Sequence, residues 1–171
     1  MSKDSGLLLV VYGLPGSGKS YFAAELAKAL RATYFNTDII RKTMSPLPGY
    51  SDREKSRIYN KLIGDIGRLP AKEELVIADG TFYKSKFRKL VKRELGARFR
   101  IKYIEVICPT EELRSRLQIK RPYSDADFEV YQQIKRAWEP MKGKHLVLVS
   151  GNDNLEDMIK KTMAYLLEDV R

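Results

Sequence analysis

Cysteine, histidine and tryptophan each occur once, as Cys108, His145 and Trp138, in a chain of 171 residues. A lone cysteine closes no internal disulfide, and one cysteine with one histidine cannot furnish a structural zinc site of the usual kind. Long apolar runs are missing too. The run Leu7 to Tyr12 is soon broken by Gly13 and Pro15, which excludes a signal peptide or a membrane span there and leaves a reducing, cytoplasmic setting as the expectation. Internal repeats and low-complexity tracts are absent. No Asn-Lys-x-Asp signature follows a strand, because Asn60-Lys61-Leu62-Ile63 lacks the acid and lies in a helical pattern, so a GTP switch is excluded. His145 precedes the last strand pattern without an evident partner and is assigned no chemistry.

Acidic residues are also in deficit. Lys and Arg outnumber Asp and Glu by 32 to 22, for a formal net charge of +10, which favours a polyanionic partner. Chain length suits one domain over 1–171 with a buried core, leaving no room for a second of much substance.

Gly13 to Ser20 reads GLPGSGKS, a complete G-x-x-x-x-G-K-[ST] phosphate-binding loop. It stands between the strand pattern Leu7 to Tyr12 and the helix pattern Tyr21 to Leu30. Backbone N–H groups in such a loop surround a phosphate, and the helix dipole adds positive potential. Gly13, Gly16 and Gly18 permit the turn, Lys19 reaches the β- and γ-phosphates, and the Ser20 hydroxyl ligates Mg²⁺. Pro15, Ser17 and Tyr21 complete the expected nucleotide contacts. ATP and Mg²⁺ are therefore the expected cofactors.

Strand patterns recur at Thr33 to Asn36, Leu75 to Ala78, Ile101 to Ile107 and Leu146 to Val149. Helical faces fill the gaps: Ile58, Leu62, Ile66 and Leu69; Phe87, Leu90, Val91 and Leu95; Phe128, Tyr131, Ile134 and Trp138; and Leu155, Ile159, Leu166 with Met163. This alternation predicts an α/β P-loop NTPase fold, a doubly wound parallel sheet of about five strands with helices on both faces. Ligands then sit at the carboxyl ends of the strands. Pro46, Pro48 and Gly49 break the chain between a short helix at Ile39 to Met44 and a longer one capped by Ser51. Thr110 and Ser124 are expected N-caps, the latter with Asp127 in a capping-box variant, and Lys120 to Ser124 a flap within a small lid around 114–126.

Asp38 and Arg41, three residues apart in NTDIIRKTM, share a helix face after the second strand. A carboxylate there can take a proton from an attacking hydroxyl while the guanidinium holds a phosphate; the plainer alternative is that Asp38 caps the helix and Arg41 is solvated. Asp79 ends a continuously apolar run, as expected of a Walker B type carboxylate acting on Mg²⁺ through water. Arg116, Lys120 and Arg121 can neutralise charge during phosphoryl transfer, or form only a basic helix face. The dense cations from Lys84 to Arg93, with Arg98, Arg100 and Lys102, read as a solvated face in preference to a nucleic-acid site. Tyr50, Tyr59, Phe82 and Tyr83 are core aromatics in preference to base-stacking ones. Ser150 to Asn154 can border the adenine.

The order GLPGSGKS, NTDIIR, VIADGTF with a basic helix, EVICPTEELRSRL and SDAD resembles P-loop kinases of the polynucleotide 5′-hydroxyl kinase type, with their zeta-toxin-like and AAA ATPase relatives. The resemblance spans nearly the whole chain. It implies that Asp38 activates an acceptor hydroxyl, that Arg41 contacts the acceptor's phosphate, and that Arg116 and Arg121 are lid arginines; the expected spacing puts Lys120 at the second position instead. The activity so implied is transfer of the γ-phosphoryl of ATP to the 5′-hydroxyl of DNA or RNA. A small-molecule kinase of the same fold, acting on a sugar acid, nucleoside or other alcohol, is the first alternative, and an ATP-binding or ATP-hydrolysing interaction module the second. Oligomeric state has no signature here.

Overall fold

The computed structural model describes residues 5–44, 51–70, 75–118 and 128–168. Five parallel strands, β1 (Gly6–Tyr12), β2 (Thr33–Asn36), β3 (Leu75–Gly80), β4 (Phe99–Ile107) and β5 (Leu146–Val149), lie in the order β2-β3-β1-β4-β5. Between them come α1 (Lys19–Leu30), α2 (Thr37–Met44), α3 (Asp52–Gly67), α4 (Ser85–Leu95), α5 (Thr110–Gln118) and α6 (Phe128–Arg136), and α7 (Leu155–Leu167) closes the chain.

Central β1 explains its own unbroken apolar sequence, since Leu8 to Tyr12 are all fully buried between two helical layers. Leu9 and Val11 pack against Phe22, Ala23 and Leu26 of α1 and Met158 of α7. On the other face Leu8, Val10 and Tyr12 meet Leu62 and Ile66 of α3 and Phe87 and Val91 of α4. Burying a Leu or Phe side chain contributes roughly 1.5–3 kcal/mol, so these two layers dominate the stability of the sheet. Edge strand β5 is half-buried instead: Leu148 is inside while Val147 and Val149 are exposed.

Several boundaries differ from expectation for identifiable reasons. Helix α1 begins at Lys19, because Gly18 in a left-handed conformation is its N-cap. Strand β3 continues through Asp79 and Gly80, which pair with Val11 and Tyr12. Ser51 caps α3 as expected, accepting from Glu54 N at 3.2 Å, whereas Thr110 is the first residue of α5 and not a residue before it. Leu69 lies past the end of α3 and Trp138 past the end of α6. In α7 the buried positions are Met158, Thr162 and Tyr165, and Met163 faces out. The expected Leu155, Ile159 and Leu166 do pack against the core, partly buried, so of that stripe only Met163 fails. Pro46, Pro48, Gly49, Tyr50, Lys120, Arg121, Pro122, Ser124 and Asp127 lie outside the described residues, and with them most of the expected lid.

Candidate active site

The phosphate loop leaves β1 and presses against the end of β4. A Cβ on Gly13 would stand 2.3 Å from the Val106 carbonyl oxygen, so only glycine fits without displacing backbone. Gly16 and Gly18 have φ of +81° and +86°, conformations that glycine adopts without a Cβ penalty. No side chain caps α1 at Gly18, which leaves the helix N-terminus to an anion. Lys19 is buried at the base of the loop.

Asp79, at the end of β3, is also buried. Burial pushes its carboxyl pKa up, opposed by the charge of Lys19 and by the hydroxyls of Ser20 and Tyr34. Its Oδ2 accepts from Tyr34 Oη at 2.8 Å and from Asn36 Nδ2 at 2.7 Å. Its Oδ1 has no hydrogen-bond partner among the described residues. A buried, unsatisfied carboxylate oxygen beside a hydroxyl suits a hard divalent cation whose remaining ligands are phosphate and water oxygens. Ser20 and Asp79 thus fit the expected Mg²⁺ site.

Asp38 does not cap α2. Asn36 does: its Oδ1 accepts from Asp38 N at 2.7 Å and from Ile39 N at 3.1 Å. Asp38 is left half-buried on the first turn; burial is the main cause that raises the pKa of Asp79 and of Tyr34, and the negative charge of Asp38 adds to it. Arg41, one turn on, is buried, not solvated. Between α2 and α3 a cavity of about 310 Å³ is lined by Arg41, Arg53, Arg57, Glu54, Met44 and Ile58, among others. Sequence reasoning missed Arg53 and Arg57, which carry no motif; Asn36 was detectable as a cap-type residue immediately before a helix.

Arg116 is brought to the phosphate loop. Its Nη1 donates to Ser150 Oγ at 2.9 Å and its Nη2 to Glu112 Oε2 at 2.9 Å, while the Ser150 hydroxyl donates to the Ser17 carbonyl at 2.6 Å. A second cavity, of about 350 Å³, opens here between Gly16, Gly18, Tyr21, Arg116, Asn152 and Asn154. It lies between the phosphate loop and the segment that follows β5. Pro15 is on the loop and points to neither cavity.

Remaining expectations divide. Tyr59, Phe82 and Tyr83 are core, Phe82 with a φ of +41° held by Tyr59 Oη, which accepts from Phe82 N, and by Arg88, which donates to Phe82 O. His145 has partners after all: Nε2 lies 3.3 Å from Glu105 Oε2 and Nδ1 2.7 Å from the Gly143 carbonyl. Among the described residues no helix is long and apolar enough to cross a membrane.

Loop, carboxylates and sheet order together define a P-loop kinase-like domain. The chain belongs to the AAA domain family AAA_33, whose model matches residues 8–141. A probable adenylyl-sulfate kinase of Aeropyrum pernix is 26% identical over 177 residues, covering 98% of this chain and 94% of its own. Among solved structures, the APS kinase CysC of Mycobacterium tuberculosis, in complex with AMPPNP and APS, superposes with a TM-score of 0.73 at 16% identity, over 95% of this chain and 98% of that one. A gluconokinase from Sinorhizobium meliloti 1021 gives 0.69 at 17% identity, over 99% and 97%. These structural likenesses show the fold.

Proposed function

We propose that this protein is an ATP-dependent kinase that phosphorylates a hydroxyl of a small anionic molecule. The observation that carries the reading is the arginine-lined cavity of about 310 Å³ that Arg41, one turn along α2 from Asp38, shares with Arg53 and Arg57 of α3. Its size is at the low end of the roughly 300–1,000 Å³ typical of small-ligand sites. Three guanidinium groups suit an acceptor bearing phosphate, sulfate or carboxylate. The adenylyl-sulfate kinase and gluconokinase likenesses support a small acceptor over the 5′-hydroxyl end expected from sequence.

In this reading the loop N–H groups and Lys19 hold the triphosphate, and the base lies against Tyr21, Ser150 and Asn154. Arg41, Arg53 and Arg57 orient the acceptor with its hydroxyl toward Asp38. As the acceptor oxygen bonds to the γ-phosphorus, the bond from that phosphorus to the β–γ bridging oxygen breaks, ADP leaves, and the acceptor proton passes to the Asp38 carboxylate. Ser20 and Asp79 would hold Mg²⁺, which would supply positive charge against the β- and γ-phosphates. Arg116, already beside Gly18, adds positive charge near the phosphates; Lys120 or Arg121 is proposed as the second lid cation. Nearly all of the rate enhancement is positioning and electrostatics.

The second reading keeps the nucleic-acid 5′-hydroxyl as acceptor, favoured by the net charge of +10. Labelled ATP, offered with adenylyl sulfate, sugar acids, nucleosides and 5′-hydroxyl oligonucleotides, separates the two. Transfer to a small anionic alcohol is expected. Transfer only to oligonucleotide ends overturns the first reading, and hydrolysis indifferent to every alcohol supports the ATP-binding module.

A further inference from the structure

The basic stretch around α4 is not uniform. Lys84 and Lys86 reach Asp52 at 2.7 and 3.8 Å, and Arg93 pairs with Glu94 at 2.7 Å. Arg88 is buried and donates to the Phe82 and Glu139 carbonyls. Those cations are accounted for by the fold. Lys89, Lys92 and Arg100 are exposed and make no ion pair among the described residues, and Lys142, from the segment after α6, is in the same condition.

These four line one groove. Strand β5 pairs with Ile104 to Ile107 of β4, so along Phe99 to Tyr103 no strand is paired on that side among the described residues. A groove of about 1120 Å³ opens there, walled by α4 and by residues 138–144. Ile101, Trp138 and Met141 contribute apolar surface, and Glu139 is the only acidic residue of the lining. Its carboxylate is engaged by Ser85 N at 2.7 Å. The groove belongs to the α3 and α4 face of the sheet and shares no residue with either cavity of the active site.

We propose that this groove binds a single strand of nucleic acid, independently of phosphoryl transfer. Unpaired like charges brought to one depression repel one another, and a polyanion relieves that repulsion. At about 1120 Å³ the groove is just above the roughly 300–1,000 Å³ of a site for one small ligand, which leaves room for an extended chain. Apolar surface between cations suits exposed bases with flanking phosphates. A duplex hides its base faces, and a membrane is too flat to enter a depression.

The test uses the full chain without ATP and a labelled single-stranded oligonucleotide of about 12 nucleotides. Anisotropy should show binding whose log–log salt slope is about 3, as four phosphate contacts on a single strand require. The variant K89E/K92E/K142E should lose about tenfold or more in affinity with unchanged melting temperature and ATP affinity. The variant K28E/K160E/K161E, with the same charge change on α1 and α7, should retain binding within about twofold. No binding at low salt, equal losses in the two variants, or tighter binding of a duplex or of anionic vesicles overturns the proposal. With ATP absent and the oligonucleotide 5′-phosphorylated, so that it has no 5′-hydroxyl to accept a phosphoryl group, the outcome is separate from that of the kinase reading.

Discussion

Asn36 donates from Nδ2 to Asp79 Oδ2 at 2.7 Å while its own Oδ1 receives the first backbone N–H groups of α2. One amide therefore ties the carboxylate at the end of β3 to the helix that presents Asp38 and Arg41. Asn36→Ala removes a cap worth about 1 kcal/mol and a buried hydrogen bond to a carboxylate worth about 1.5–3 kcal/mol. Denaturant unfolding should report a loss in that combined range, and kcat should fall as α2 loses its anchor.

Because Asn36 is the cap, Asp38→Asn should leave the melting temperature almost unchanged. If Asp38 is the base, kcat falls by about 10² to 10⁴ with near-normal ATP affinity. An active Asp38→Asn protein of equal stability would defeat the catalytic assignment.

Arg53→Ala and Arg57→Ala should each raise KM for an anionic acceptor about tenfold and leave KM for ATP alone. Both residues are exposed, on the first two turns of α3, so folding should survive. Measuring both substrates on the same preparations checks it; parallel rises in the two KM values would place these arginines elsewhere in the mechanism.

Gly13→Ala drives a methyl to within 2.3 Å of the Val106 carbonyl, an overpacking that costs about 1–3 kcal/mol or more. Gly143→Ala meets nothing within 4 Å and should change stability by no more than about 0.5 kcal/mol. Urea midpoints of the two variants provide the comparison.

Burial pushes the Tyr59 phenol up from 10.0 to about 12. Neutral Tyr59 is thus favoured by the fold: its contribution is complete below pH 10, near which unfolded tyrosine titrates, and is lost as pH rises through about 12. Burial also pushes Tyr103 up to about 12 and Tyr12, Tyr34 and Tyr83 further up. Phenolate absorbance should therefore show several tyrosines ionising late, and Tyr59→Phe should remove one equivalent from the step near pH 12.

Local chemistry in the chain was enough for GLPGSGKS, for the alternation of strands and helices, and for the parallel sheet, because glycine conformations, apolar periodicity and crossover rules act over short spans. Asp79 was legible as well, since a carboxylate that ends a fully apolar run sits at a strand's carboxyl end. The alternatives at Asp38 were not separable from sequence, because Asn36, Thr37 and Asp38 are all cap-type residues and only the backbone path selects one. Nor could charge alone sort the lysines and arginines. Asp52 on α3 reaches Lys84 across 2.7 Å, Arg88 turns inward to two carbonyls, and Lys89 and Lys92 are left facing a groove. Ion pairing depends on which helices become neighbours, and the arginine cavity depends on how α2 meets α3. Both are decided by packing between segments distant in the chain, which no local pattern encodes.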